Sequence, residues 1–412
     1  MTRRLGNPEN QGFPCMYAIH MHAVDDTSGL NTLPRERLTV KFIFEHNDNW
    51  KGYRHRHRHE LREVEVSEVE KMLRCKEAEN GYITCYCENC DEYHVMTFGC
   101  NSRLCSDCGK RYTDQWAEGL AKRMFDCPHR HFVMGIASQL WPIFEQHRDW
   151  WKILMDSAIE VINEVQSGYM RCNIRAGAIV VLHSYGRDLQ FKCHIHVLVT
   201  EGGFDDRGVF RHNYYFPAKW MRKTWQYKVL TKLKAKMDDT PENKQLIDYL
   251  FKRYKNGFYV WLPEESRISS KREAAKYIGR YLRHPAIANH RIVGYDGETV
   301  TFWYKDNNEV RHTVVMKLDE FIGSIVRHIP DRQFKMIRYY GVYCRKWVRK
   351  YRELAGLSSI TQRKLGDFGR ERQFKCPKCG AVMEKIIYRK KGPPKMDRFG
   401  EILDDWGVAR VS

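Results

Sequence analysis

No run of about 18 consecutive apolar residues occurs in this 412-residue chain, so no membrane-spanning helix is expected. Residues Met1 to Cys15, with Arg3, Arg4, Asn7, Asn10 and Gln11, lack the apolar stretch of a signal peptide, and a cytoplasmic protein is expected. There is no G-x-x-x-x-G-K-[ST] phosphate loop, which excludes a covalently attached helicase motor of that type, and no internal repeat. Acidic residues are also short. The 51 Asp and Glu stand against 70 Lys and Arg, a formal charge of +19 and a pI near 9.3. Such an excess points to an anionic partner, nucleic acid before membrane surface. At 42% hydrophobic and 13% aromatic residues, with a mean hydropathy of −0.63, global disorder is excluded.

Cysteine is not scarce. Fourteen are present, seven of them between Cys75 and Cys108, and Cys376 and Cys379 form an isolated pair. In a reducing compartment, closely spaced thiols hold metal more often than they form disulfides. Cys87-x2-Cys90 and Cys105-x2-Cys108 read as paired knuckles whose thiolates close a tetrahedron around one Zn²⁺. Cys75, Cys85, His94 and Cys100 are the right residue types for a second zinc. Cys85 could exchange with Cys87. Cys376-Pro377-Lys378-Cys379-Gly380 has the shape of half a zinc ribbon with no partner nearby, Cys344 being a candidate and a metal-free knuckle the alternative.

The length suggests two to three domains at roughly 100–200 residues each. The pattern divides the chain into a basic arm and helix (1–70), a zinc-binding region (71–125), a catalytic region (126–325), a basic segment with the CxxC (326–388) and a tail (389–412). The Arg/His run at 54–59 reads as solvated charge or a phosphate-binding arm. Downstream, a strand at His131–Ala137 and a long helix at Pro142–Val165 are expected, then strands at Ala176–Leu182 and Gln190–Thr200 paired as a hairpin. Helices at Pro217–Lys236 and Asn243–Tyr254, a strand at Phe258–Leu262 and a helix at Ser269–Arg283 follow. Asp296-Gly297 marks a further hairpin. The order β-α-β-β-α-β predicts an α+β chain with a ferredoxin-like, RRM-like antiparallel sheet and helical additions.

Two constellations within that order carry chemistry. His194-Ile195-His196 lies on a strand, so both imidazoles share one face, where they can ligate a divalent metal, while Ile195 points into the core. Two hydrogen-bonded histidines are the alternative. Tyr277 and Tyr281 sit four apart on a helix beside Lys276, Arg280 and Arg283, so their hydroxyls emerge from one face among cations that suit scissile phosphates.

With these motifs the chain resembles the two-tyrosine HUH rolling-circle transposases of the insertion-sequence-ninety-one-like family. The resemblance rests on Asn101-Ser102-Arg103-Leu104-Cys105, His131-Phe132-Val133-Met134, Tyr185-Gly186-Arg187-Asp188-Leu189 and His194-Ile195-His196-Val197-Leu198-Val199. It extends through Tyr277-Ile278-Gly279-Arg280-Tyr281, Ile287-Ala288-Asn289-His290-Arg291-Ile292, Arg327-His328-Ile329-Pro330 and Arg338-Tyr339-Tyr340-Gly341. Lys192-Cys193 depart from the longer His-Pro-His-x-His run of many members, and Cys193 reads as a packing substitution. The resemblance implies that His194 and His196 hold Mg²⁺ or Mn²⁺ and that Tyr277 and Tyr281 alternate as nucleophiles, forming 5′-phosphotyrosine bonds to single-stranded DNA or hairpins. Asp188 and Glu273 lie near the motifs as third-ligand candidates, neither assigned. Duplex opening then falls to a host helicase or the replication machinery.

Two basic, aromatic segments are DNA-binding candidates: Lys219 to Lys228, and 327–352 with Arg338, Arg345 and Lys346. For each, the alternative is a helix whose rings face the core. A plasmid or phage replication initiator or relaxase is the alternative within the same chemistry. A non-catalytic zinc-containing regulator is the alternative outside it, and would leave Tyr277 and Tyr281 far from the histidines.

Overall fold

A computed structural model describes residues 38–263, 266–281, 285–354 and 374–389. Arg283, the first 37 residues and the tail from residue 390 fall outside the described residues. Along the chain come α1 (Val40–Glu45), α2 (Asn49–Arg56) and α3 (Glu63–Leu73), then β1 (Tyr82–Cys87), β2 (Glu92–Thr97) and α4 (Ser106–Ala121). The middle runs β3 (His129–Gly135), α5 (Trp141–Gln146), α6 (Trp151–Met170), β4 (Arg175–Tyr185), β5 (Phe191–Phe204) and β6 (Phe210–His212). It continues with α7 (Ala218–Lys234), α8 (Pro241–Arg253), β7 (Val260–Trp261), β8 (Arg267–Ile268) and α9 (Lys271–Gly279). Then come β9 (Ile292–Tyr295), β10 (Thr299–Lys305), β11 (Arg311–Lys317), α10 (Leu318–Val326), β12 (Ile337–Gly341), α11 (Arg345–Leu354), β13 (Phe374–Lys375) and β14 (Val382–Arg389).

The central sheet has the order β12-β4-β5-β3-β7, all neighbours antiparallel. Its β4-β5-β3-β7 portion is the expected split βαβ arrangement, since β3-α6-β4 and β5-α7-β7 are the two crossovers. Alternation on the strands gives each face a distinct task. Phe132, Met134, Val180, Leu182, Ile195 and Val197 pack with α5, α6 and α7 in the largest core, which also takes Cys193. Ile179, Val181 and Leu198 lie on the opposite face under α4 and α9, with Val342 and Tyr351. Glu201, wholly buried, binds Arg130 at 2.6 Å and Arg267 at 2.9 Å and so pins β3 and β8 beside β5.

Two local expectations change. The long helix breaks at His147 because Trp151 turns its indole N–H back onto the Phe144 carbonyl (2.6 Å) while Trp150 stacks on His147. The helix of the tyrosine pair ends at Gly279, and Tyr281 follows in a tighter turn, its N–H bonded to Ile278 O at 3.1 Å.

A second core joins the ends of the described middle region: Ile43, Phe44, Trp50 and Val69 of α1 to α3 pack on Phe302, Val314 and Ile325 of β10, β11 and α10. The Arg/His run lies within this arrangement. Arg56 pairs with Asp319, Arg54 with Glu70, and His57 stacks on Tyr53. Strands β11-β10-β9 form a second sheet within this core, and a third sheet, in the order β13-β14-β1-β2, combines strands from the cysteine-rich region and the far C-terminal side. The segment 327–352 is likewise not separate, because β12 lies at the edge of the central sheet.

Candidate active site and metal centres

The hairpin of β4 and β5 places His183 directly across from His194, and Val181 across from His196. His183, His194 and His196 therefore share one sheet face, and their ligand nitrogens all lie within 4.8 Å of one another. Their outer nitrogens are engaged. His194 Nδ1 meets the Lys192 carbonyl at 2.6 Å, His183 Nε2 meets the Tyr281 carbonyl at 2.7 Å, and His196 Nδ1 meets His131 Nε2 at 3.0 Å. Carbonyls at His194 and His183 require protonated outer nitrogens, so the inner nitrogens carry the lone pairs, with His194 Nε2 3.2 Å from His196 Nε2. Burial lowers the pKa of His194 and His196, and takes that of His131 down to about 4, so the rings stay neutral. Three converging imidazoles on one sheet face fit a divalent cation.

His183, missed in the sequence, is the third member of this group, which neither Asp188 nor Glu273 joins. Asp188 is committed to Lys192 at 2.5 Å, and Glu273 sits exposed in the first turn of α9, its N–H capped by Ser270. Part of the signal was available: folding the hairpin about Gly186–Leu189 puts position 183 on the face of 192, 194 and 196, and the register shift between His183 and Tyr185 then sets His194 as its partner.

Both tyrosines stand at this centre. The Tyr281 ring stacks on His196 with centroids 3.7 Å apart, Tyr277 lies 4.8 Å from His131, and the two phenol oxygens are 3.5 Å apart. The regulator alternative required the opposite. Burial and the Tyr277 hydroxyl push the Tyr281 pKa upward, while Arg280 and Arg187 act against the shift. Arg280 is exposed, with its guanidinium 4.9 Å from the Tyr277 ring, and Lys276 is exposed on the same helix. A cleft lined by His183, Tyr185 and Tyr281 also takes Arg103 from the cysteine-rich region. Sequence reasoning singled out that arginine only as part of a motif.

The cysteines regroup. Cys105 and Cys108 meet Cys75 and Cys100, whereas Cys87 and Cys90 meet Cys376 and Cys379. The single site of Cys87, Cys90, Cys105 and Cys108 is thus replaced, because β1 carries the first knuckle away from the N-terminus of α4 and into the third sheet. The proposed second set also divides. Cys75 and Cys100 join the α4 group, His94 Nε2 lies 3.4 Å from Cys376 Sγ, and Cys85 is buried in the small core beside Met383. Cys344 belongs to neither group. In the α4 group the Sγ separations are 3.6 Å (Cys75–Cys105), 3.7 Å (Cys75–Cys108) and 3.8 Å (Cys100–Cys108). Zn–S bonds of about 2.3 Å in a tetrahedron require S···S near ~3.8 Å, so the donors fit zinc. The Cys105 pKa falls to about 5, first through its contact with Cys100. Cys105 caps α4, and α4 packs on α9 through Thr113 and Ala117 at Gly279, so this cluster braces the helix that carries Tyr277.

The two basic segments differ: 327–352 places its rings mostly inward, whereas 219–228 buries only one of its three. Trp225 is buried with its N–H on the Gly135 carbonyl at 2.7 Å, while Trp220 and Tyr227 remain exposed. Tyr343 bonds His129 at 2.7 Å, Tyr340 bonds Asp156 at 2.6 Å, and Tyr339 accepts from Trp116 at 3.1 Å. These are packing and anchoring roles rather than a stacking platform. Arg345 and Lys346 are exposed on α11, and Arg338 is half-buried on β12. No described helix is long and apolar enough to cross a membrane.

Known families match two stretches of the chain. Residues 45–136 match the family described as "Transposase zinc-binding domain", and residues 177–350 match that described as "Putative transposase". The chain is 30% identical over 304 residues, 71% of its length and 73% of the relative's, to the "Transposase for insertion sequence element IS801" of Pseudomonas savastanoi pv. phaseolicola. It is 23% identical over 305 residues, 69% of its length and 76% of the relative's, to "Putative transposase y4qJ" of Sinorhizobium fredii (strain NBRC 101917 / NGR234). No solved structure matches it. With the histidine centre, the tyrosine pair and the thiol clusters in place, the chain belongs to the IS91-like transposase family.

Proposed function

We propose that this transposase cuts and rejoins single-stranded DNA through tyrosine nucleophiles at the histidine centre, as rolling-circle-type transposition requires. The observation that carries the reading is the stacking of Tyr281 on His196, 3.7 Å between centroids, with the Tyr277 hydroxyl 3.5 Å from that of Tyr281. His183, His194 and His196 would hold Mg²⁺ or Mn²⁺, and a bound cation would polarise the scissile phosphate and offset its developing charge. A tyrosine Oη attacks phosphorus, the bond from phosphorus to the 3′ oxygen breaks, and the phenolic proton ends on the departing 3′-OH after exchange with solvent. The product is a 5′-phosphotyrosine ester. Attack by a 3′-OH reverses these steps and restores a phosphodiester, so no nucleotide hydrolysis is needed.

Tyr281 enters as a neutral phenol, since burial raises its pKa. Arg280 and Arg187, both felt at that ring, favour the phenolate once the strand displaces water. Tyr277 and Tyr281 would serve successive strands, and Lys276, Arg280, Arg345 and Lys346 would contact phosphates. In the α4 cluster, Cys75, Cys100, Cys105 and Cys108 would hold a structural Zn²⁺. The test is a labelled single-stranded oligonucleotide from an element end, incubated with the protein and Mn²⁺. A denaturation-resistant adduct is expected from the native protein and none from Tyr277→Phe/Tyr281→Phe. An adduct that persists in the double variant would overturn the assignment.

A further inference from the structure

We propose that Cys87, Cys90, Cys376 and Cys379 form a second zinc site, independent of the α4 cluster, that clasps residues 374–389 onto the cysteine-rich region. The C-terminal thiols lie beyond both matched regions, 45–136 and 177–350. Strand register explains how they arrive. β14 runs antiparallel to β1, pairing Tyr82 with Arg389 and Tyr86 with Glu384, and β13 folds back on β14 with Phe374 opposite Met383. Both Cys-x2-Cys turns therefore emerge at the same end of the sheet.

Each turn is a preformed knuckle. Cys90 N–H bonds the Cys87 carbonyl at 3.3 Å; Gly380 N–H bonds the Cys376 carbonyl at 2.9 Å, and Cys376 N–H bonds the Ala381 carbonyl at 2.8 Å. Gly380 has φ +75, the left-handed conformation in which glycine meets no Cβ penalty. The sulfurs stand 3.6 Å apart for Cys87 and Cys379 and 3.9 Å apart for Cys90 and Cys376, and all four lie within 4.8 Å. Disulfides need about 2.05 Å, whereas a tetrahedral zinc thiolate set needs ~3.8 Å. His94, 3.4 Å from Cys376 Sγ, is placed to hydrogen-bond the ligated sulfur, and Lys378 pairs with Glu92 across the joint. Such outer contacts orient ligands and temper thiolate charge.

The experiment counts zinc in the full chain carrying His183→Ala/His194→Ala, so that only thiol sites hold the metal, purified with zinc and dialysed, by elemental analysis against protein concentration. Two zinc ions per chain are expected in this background. Cys376→Ser/Cys379→Ser and Cys87→Ser/Cys90→Ser should each retain one, and their combination should still retain one, because both pairs serve the same ion. Adding Cys105→Ser/Cys108→Ser should remove the last. Retention of two ions by the Cys376/Cys379 variant, or loss of both in the combination, would overturn the proposal. The exposed Cys379 provides a milder substitution: Cys379→His preserves a four-donor set and should keep two ions, whereas Cys379→Ala/His94→Ala, which also removes a neighbouring replacement donor, should keep one. Two ions in Cys379→Ala/His94→Ala would equally overturn the site.

Discussion

The histidine centre and the α4 thiol cluster both gather metal donors, yet they are built in opposite ways. His183, His194 and His196 stand on two paired strands in the middle of a sheet whose register alone brings them together. Cys75, Cys100, Cys105 and Cys108 come from a helix end, a loop and the cap of α4, with no shared ladder to hold them. The difference separates a site that the fold makes from a site that helps make the fold. Removing metal from the first should leave the scaffold standing; removing it from the second should loosen α4 and, through Gly279, the helix bearing Tyr277.

The strongest way to break that contrast is Cys105→Ser/Cys108→Ser. Structural zinc is worth on the order of 10 kcal/mol in small domains, so hydrogen exchange should show α4 unprotected while α6 stays protected. Equal protection of both helices would remove the distinction. Next, Glu201→Gln leaves Arg130 and Arg267 facing a neutral amide inside the sheet. Breaking a buried pair costs about 3–5 kcal/mol, read here as a lower urea midpoint without any change in zinc content.

Acid comes third. His129 and His131 are held to a pKa of about 4 and His328 to about 3 by burial, against about 6.5 in the unfolded chain. Between those values the unfolded chain binds protons that the native one refuses. Stability is therefore complete above pH 6.5 and falls as pH drops toward 4, by up to about 1.4 kcal/mol per pH unit and histidine. A urea midpoint at pH 5 no lower than at pH 7 would contradict the buried, neutral assignment. The smallest effect on stability belongs to His194→Ala, under about 1 kcal/mol because the ring is half-buried at a strand end. The same variant should cut adduct formation at least about 100-fold, as loss of transition-state charge stabilisation does. If His194→Ala instead melts the protein, the histidines are structural and the contrast fails.

Much of the fold was legible because its signals are local. The alternation of Cys193 and Ile195 against His194 and His196 set the face of β5, and both pairs fall as expected. The helix break at His147 was not legible, since it depends on a side-chain bond from Trp151 to Phe144 that periodicity does not register. The aromatic residues of 327–352 carried an ambiguous signal: a ring beside a cation reads as a stacking surface until β12 enters the sheet and draws Tyr339 and Tyr340 onto Trp116 and Asp156. The thiols show the clearest boundary of sequence reading. A Cys-x2-Cys turn specifies two ligands and leaves open what supplies the others, and here strand pairing across most of the chain decides it.

That long-range pairing has a consequence in time. Cys90 and Cys376 are separated by 286 positions, and at about 5–20 residues per second of synthesis the first knuckle waits ~14–57 seconds for the second to be made. During that interval the thiols of the α4 cluster are complete while Cys87 and Cys90 stand open beside an unpaired edge of β1. A nascent chain halted after residue 350 should therefore carry one thiolate-bound zinc ion on the ribosome, and the finished chain two.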